Sequence, residues 1–130
     1  MSQPTWQQVL IVGGGGFFGS ALRFLVSGWT HRLLPAATIP VGTLAVNLIG
    51  CLAIGFLGGL AEYRSMIGPQ TRLFMMIGLL GGFTTFSTFG YEGLGLLRDQ
   101  QHAGAALYVG VHVVAGLVAA WAGMALARSL

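Results

Sequence analysis

Gly81-Gly82-Phe83-Thr84-Thr85-Phe86-Ser87-Thr88-Phe89 is the stretch that decides how this chain is read. It lies near the middle of an apolar segment from about Leu73 to Leu97, long enough to cross a bilayer. Two adjacent glycines, then four hydroxyl side chains within five residues, weaken a helix there and leave backbone groups without helical partners. In lipid an unpaired backbone group costs several kcal/mol, so such a break survives only where protein or a polar cavity surrounds it. Membrane helices interrupted in this way bind ions near the midplane. The residues alone point to ion handling.

The rest of the composition supplies the membrane. Of the 130 residues 55% are hydrophobic and only 7% are charged, whereas a soluble domain carries roughly 25% charged residues. Such a chain cannot cover a water-facing surface, and it reads as an all-α integral membrane protein with a single domain over residues 1–130. The predicted spans are Trp6 to Gly28, Val41 to Leu60, the broken segment Leu73 to Leu97, and Ala103 to Ala127. Trp6 and Trp29 suit the two interfaces, Pro40 suits the first turn of the second span, and Gly68-Pro69 marks a turn. The first stretch follows a polar segment without basic residues, so it is expected to be a retained span and not a cleaved signal peptide. A monomer this small has little interior for polar groups, so oligomerisation is expected.

The six basic residues are all arginines, scattered along the chain, which excludes a nucleic-acid-binding patch. Four spans put both termini on one side with Arg64, Arg72 and Arg128. Arg32 and Arg98 lie opposite, joined by Arg23 if the end of the first span is counted. Orientation follows this bias, which is almost nil, so insertion both ways up and one weakly preferred direction are both open. Cys51 stands alone in an apolar stretch and supports neither an intrachain disulfide nor a cysteine-based zinc site.

Small residues four apart, at Gly15/Gly19, Gly55/Gly59 and Gly78/Gly82, favour close helix packing. Gly14 to Gly19 also fits G-x-G-x-x-G. A dinucleotide site would need a βαβ unit and an acid about 20 positions on; the first acid in the chain is Glu62, so packing explains these glycines.

Asn47 sits about two turns into the second span and needs a hydrogen-bond partner. That partner is either another helix or an anion met by its two N–H donors. Phe86 and Phe89 share one helix face, where core packing is the ordinary reading, but their positive ring edges also suit an anion. Thr84, Thr85, Ser87 and Thr88 can bond back to the preceding turn, although four of them exceed what packing requires. His112 lies about ten residues into the fourth span with Tyr108 one turn before it, as a structural or a functional pair. Glu92 is the one acid within a predicted span, and Arg23 is the corresponding base in the first. Three unpaired acids give no acid–base constellation, so catalysis is not expected.

Taken together, the glycine-rich first span with Arg23, Gly42-Thr43-Leu44-Ala45-Val46-Asn47, and Gly81 to Phe89 closely resemble the Fluc (CrcB) fluoride channels over essentially the whole chain. The resemblance implies an antiparallel, dual-topology homodimer of four-span subunits in the cell membrane of a prokaryote, with lipid around it and two separate fluoride pores. It implies a structural sodium ion at the dimer centre, held by backbone carbonyls at positions matching Gly81 and Thr84. It further implies that Asn47, Phe86, Phe89, Ser87, Thr88, Tyr108 and His112 line the pore and that Arg23 and Glu92 stand near its entrances. The position of His112 is small and polar in some relatives. The implied activity is passive, selective fluoride export. A small proton-coupled multidrug exporter is the alternative, and it would need an acid deep in a span; the first span has none. A packing subunit of a larger membrane complex would leave the polar break and Asn47 without a purpose.

Overall fold

The computed structural model describes residues 3–130 and is helical throughout its ordered elements. Helix α1 spans Trp6–Leu33 and α2 spans Val41–Tyr63. The third span, Pro69–Arg98, comprises α3 (Pro69–Arg72), a π-helical stretch Leu73–Leu79, α4 (Leu80–Phe83) and α5 (Phe86–Arg98). Helix α6 spans His102–Ser129. All four spans are long and apolar enough to cross a membrane.

Local chemistry sets the ends of these helices. Thr5 and Gln8 form a capping box at the start of α1. Pro40 is the residue before α2 and not its first helical residue as predicted, so its fixed φ shapes the approach to the helix. Pro69 occupies the first turn of α3, where its missing N–H removes no helical bond. The third span therefore starts four residues earlier than hydropathy suggests, with polar Gln70, Thr71 and Arg72 in its first turn. The first span likewise runs on past Gly28, through His31 and Arg32, to Leu33.

The break lies where the glycine and hydroxyl run predicts it. Thr84 (φ −80°, ψ 158°) and Thr85 (φ −150°, ψ 118°) are extended between α4 and α5. Those two residues let the span change neighbours. Its first half, the π-helical stretch and α4, packs on α1, and its second half, α5, packs on α6. Helices α2 and α6 form the other intimate pair.

Glycine makes both approaches close enough. A methyl group on Gly15 or Gly19 would strike the backbone of the π-helical stretch, and one on Gly82 would strike Gly16. Gly55 lies against the Ala120 backbone and Gly123 against Leu52. These are backbone-on-backbone contacts of the small-residue kind found between membrane helices. One buried cluster joins Leu96, Ala105 and the fully buried Tyr108, with Ile39, Leu44 and Phe89 around them, and Val46, Leu80, Phe83 and Ala127 are buried outside it. Much of the remaining apolar surface faces outward, as a lipid-facing chain requires.

Candidate ion pathway at the helix break

Asn47, on α2, reaches the break. Its Nδ2 donates to the Thr85 carbonyl at 3.0 Å, and the Thr85 amide donates to Asn47 Oδ1 at 2.9 Å. The side-chain amide thus pairs with the extended residue much as a neighbouring strand would. This is the interhelical bond expected of Asn47, and it occupies one of the two N–H donors on Nδ2; that nitrogen makes no other hydrogen bond among the described residues.

Thr85 also restarts the helix. Its Oγ1 accepts from the Thr88 amide at 3.2 Å, donates to Thr88 Oγ1 at 3.0 Å, and lies 3.3 Å from Ser87 Oγ. Thr84 behaves differently, its hydroxyl donating back to the Leu80 carbonyl at 2.9 Å. Of the four hydroxyls, Thr84 follows the back-bonding pattern and the other three form one cluster around the first turn of α5.

The clasp has a consequence for Gly81. In an unbroken helix the Gly81 carbonyl would accept from the Thr85 amide, but that amide is committed to Asn47. Gly81 is exposed, and with Thr84 it borders a cavity of about 390 Å³ that is also lined by Asn47, Cys51, Thr85, Phe86, Phe89 and His112. A released carbonyl is a hard oxygen ligand of the type alkali cations take. Among the described residues no group of three or more His, Cys, Asp or Glu is arranged for a metal, and the oxygens this cavity offers a cation are those of the backbone, Asn47 and the threonines.

An aromatic row leads from the break into α6. The rings of Phe86 and Phe89 are 5.5 Å apart, Phe89 lies 4.5 Å from the His112 imidazole, and Tyr108 is 4.4 Å from His112. Phe86 is 84% exposed while Tyr108 is fully buried, so the row runs from the chain's surface into its core. Tyr108 donates its hydroxyl to Glu92 Oε2 at 2.6 Å, a short hydrogen bond. His112 Nδ1 lies 3.0 Å from the Tyr108 carbonyl, and its Nε2 is buried without a partner among the described residues.

Asn47, Phe86, Phe89, Ser87, Thr88, Tyr108 and His112 are thus linked by cavity lining, ring contact or hydrogen bond. Glu92 joins them through Tyr108 and also borders a second cavity with His31 and Thr38. Arg23 does not join them. It lines a third cavity with Ser20, Ser27 and His31. Three roles are not expected from the sequence: Thr85 as a clasped cap, Cys51 as a lining residue of this cavity, and His31 beside the other two cavities. Thr85 carries a legible signal, a threonine just before a helix restart. Cys51 lies four residues after Asn47 on the same helix face. His31 carries none.

Residues 10–124 match the family model described as CrcB-like protein, Camphor Resistance (CrcB). The chain belongs to the CrcB family. Among similar CrcB relatives, the fluoride-specific ion channel FluC of Chlorobium chlorochromatii (strain CaD3) is 45% identical over 120 residues, 92% of either chain. That of Methylobacillus flagellatus is 46% identical over 121 residues, 93% of this chain and 94% of the relative. That of Stutzerimonas stutzeri (strain A1501) is 46% identical over 114 residues, 88% and 91%. Four apolar spans and bacterial relatives of matching length make this CrcB protein a multi-pass protein of the bacterial cell membrane.

Proposed function

We propose that this chain is a passive, fluoride-selective channel and not an enzyme. The observation that carries the reading is the cavity at the break, where the Asn47 amide and the rings of Phe86 and Phe89 meet on a chain matched over more than nine-tenths of its length by proteins named fluoride-specific ion channels. Fluoride is small and strongly hydrated, and removing its water without replacement donors is costly. The second N–H of Asn47, the hydroxyls of Ser87 and Thr88 and the ring edges of Phe86 and Phe89 together replace that shell. The amide end of α5 adds a favourable potential for an anion. Several sites of moderate strength let the ion leave as well as arrive. Arg23 and Glu92, each bordering a separate cavity, are assigned to the entrances. With a cell interior negative and less acidic than outside, conduction expels fluoride that arrived as the neutral acid HF.

The working unit in this reading is an antiparallel homodimer in lipid, inserted both ways up, with a sodium ion at its centre. Three features support it: the exposed Gly81, its carbonyl without a helical donor, and the outward ring of Phe86. The carbonyls of Gly81 and Thr84 fit a hard monovalent cation, which would tie two breaks together. Replacing sodium by a large organic cation throughout purification is expected to weaken the dimer.

Purified protein in liposomes, with potassium ionophore to clamp the voltage, is expected to release fluoride to an ion-selective electrode and to retain chloride. No fluoride efflux would sink the channel reading; comparable chloride efflux would sink selectivity.

A further inference from the structure

Building on the fluoride reading above, we propose that His112 Nε2 is a fluoride-binding donor that acts only when it carries a proton, so that anion and proton load this point of the pore together. A carbonyl oxygen only accepts, so the 3.0 Å contact with the Tyr108 carbonyl fixes the hydrogen on His112 Nδ1. In the neutral ring, Nε2 then holds a lone pair. That atom is buried and has no partner among the described residues.

The position of the ring gives the orphan nitrogen its meaning. Phe89 stands 4.5 Å from the imidazole, and Phe86 stands 5.5 Å further along the same row. Phe86, Phe89 and His112 line the same cavity, so an ion that reaches the two rings there is within one ring contact of the imidazole. An ion passing the two phenyl rings next meets the imidazole.

In the neutral state that ion meets a lone pair, which repels it. Protonated, Nε2 becomes a donor for which the chain offers no acceptor, and a buried cation without one is costly. Fluoride is the acceptor that relieves it. The proton adds to Nε2 from water, no covalent bond forms at fluoride, and the loaded pair is neutral. Each ligand therefore favours the other, and the coupling is reciprocal.

Few other titrating groups face this ring. On α6 the neighbour is Tyr108, whose hydroxyl is tied to Glu92, the acid that α5 contributes. Helix α2 contributes the Cys51 thiol to the same cavity, whose lining includes no Lys, Arg, Asp or Glu.

Unitary currents in planar bilayers test the proposal, because they register the ion and not neutral HF. At fixed fluoride, the wild-type current is expected to rise at least about fivefold between about pH 8 and about pH 5.5. His112→Gln, whose amide N–H donates at either pH, is expected to conduct without that slope, and His112→Ser to lack the slope as well. A wild-type current that is equal at both pH values overturns the inference and leaves the channel reading standing. A slope that survives in His112→Gln but disappears in Glu92→Gln overturns it in favour of the Tyr108–Glu92 pair. Absence of fluoride current in the wild type at both pH values overturns the channel reading and this inference with it.

Discussion

Asn47 and Thr85, 38 positions apart, hold one another by two hydrogen bonds: Nδ2 to the Thr85 carbonyl, and the Thr85 amide to Oδ1. One side chain thereby satisfies both backbone groups of the residue at which the third span breaks. Asn47→Ala leaves both unpaired in a half-buried site, and is expected to lower unfolding free energy by about 1–3 kcal/mol and to abolish fluoride flux. Asn47→Asp keeps an acceptor for the Thr85 amide but sets a carboxylate oxygen against the Thr85 carbonyl in a membrane span, so its loss of stability should be at least as large. Reversible unfolding in detergent checks the order. An Asn47→Ala protein as stable as wild type would show that the clasp does not hold the break.

Thr85 also caps α5, and its cap separates from the clasp by mutation. Thr85→Val keeps the backbone bonds to Asn47 but removes the oxygen that receives the Thr88 amide and bonds the Thr88 hydroxyl. A lost N-cap costs about 1 kcal/mol. Thr85→Ser restores the oxygen and should recover most of that loss in the same unfolding measurement. Equal stability of the valine and serine variants would remove the capping role.

How much of this could be read beforehand follows from which interactions are local. The four spans were legible because so few charges are present and most of them, Arg23 and Glu92 apart, lie at or between the ends of apolar stretches, and the break was legible because glycines and hydroxyls are adjacent in sequence. The π-helical stretch Leu73–Leu79 left no trace, since Leu-Phe-Met-Met-Ile-Gly-Leu suits an ordinary helix equally well. Neither the Asn47–Thr85 clasp nor the Tyr108–Glu92 bond could be read from spacing. Each joins residues on different elements, and the register between those elements is set by backbone contacts at glycines such as Gly15 and Gly55.

The glycine contacts make a sharp comparison within one helix. Gly19→Ala would drive a methyl group into the backbone at Leu79 and Phe83, which cannot yield as a side chain can. Overpacking of this kind costs about 1–3 kcal/mol, and recovery of folded protein should fall accordingly. Gly14→Ala meets nothing within 4 Å, and by helix propensity it should be neutral or stabilising by about 0.5–1 kcal/mol. Equal behaviour of the two variants would mean that α1 does not pack on the third span as described.

Tyr108 and Glu92 form a short hydrogen bond at the buried end of the aromatic row, at 2.6 Å. A double-mutant cycle with Tyr108→Phe and Glu92→Gln is expected to give a coupling of about 1 kcal/mol, within the range found for hydrogen bonds between membrane helices. Tyr108→Phe keeps the ring against Phe89 and His112, so its effect on stability should come from the lost hydroxyl alone. Additive effects of the two substitutions would remove the pair from any account of the pore.

Phe86 separates conduction from packing most cleanly, because its ring is 84% exposed on the single chain and its aromatic contact is with Phe89 at the open end of the row. Truncating a side chain so placed removes little buried area, and surface substitutions usually change stability by no more than about 0.5 kcal/mol. If the ring edge serves fluoride, Phe86→Ile should fold, melt and self-associate as wild type does while losing most fluoride efflux. If the ring only packs against a second copy of the chain, the same variant should lose self-association along with flux. Size-exclusion chromatography in detergent beside liposome efflux distinguishes the two, and unchanged flux would remove Phe86 from the pore.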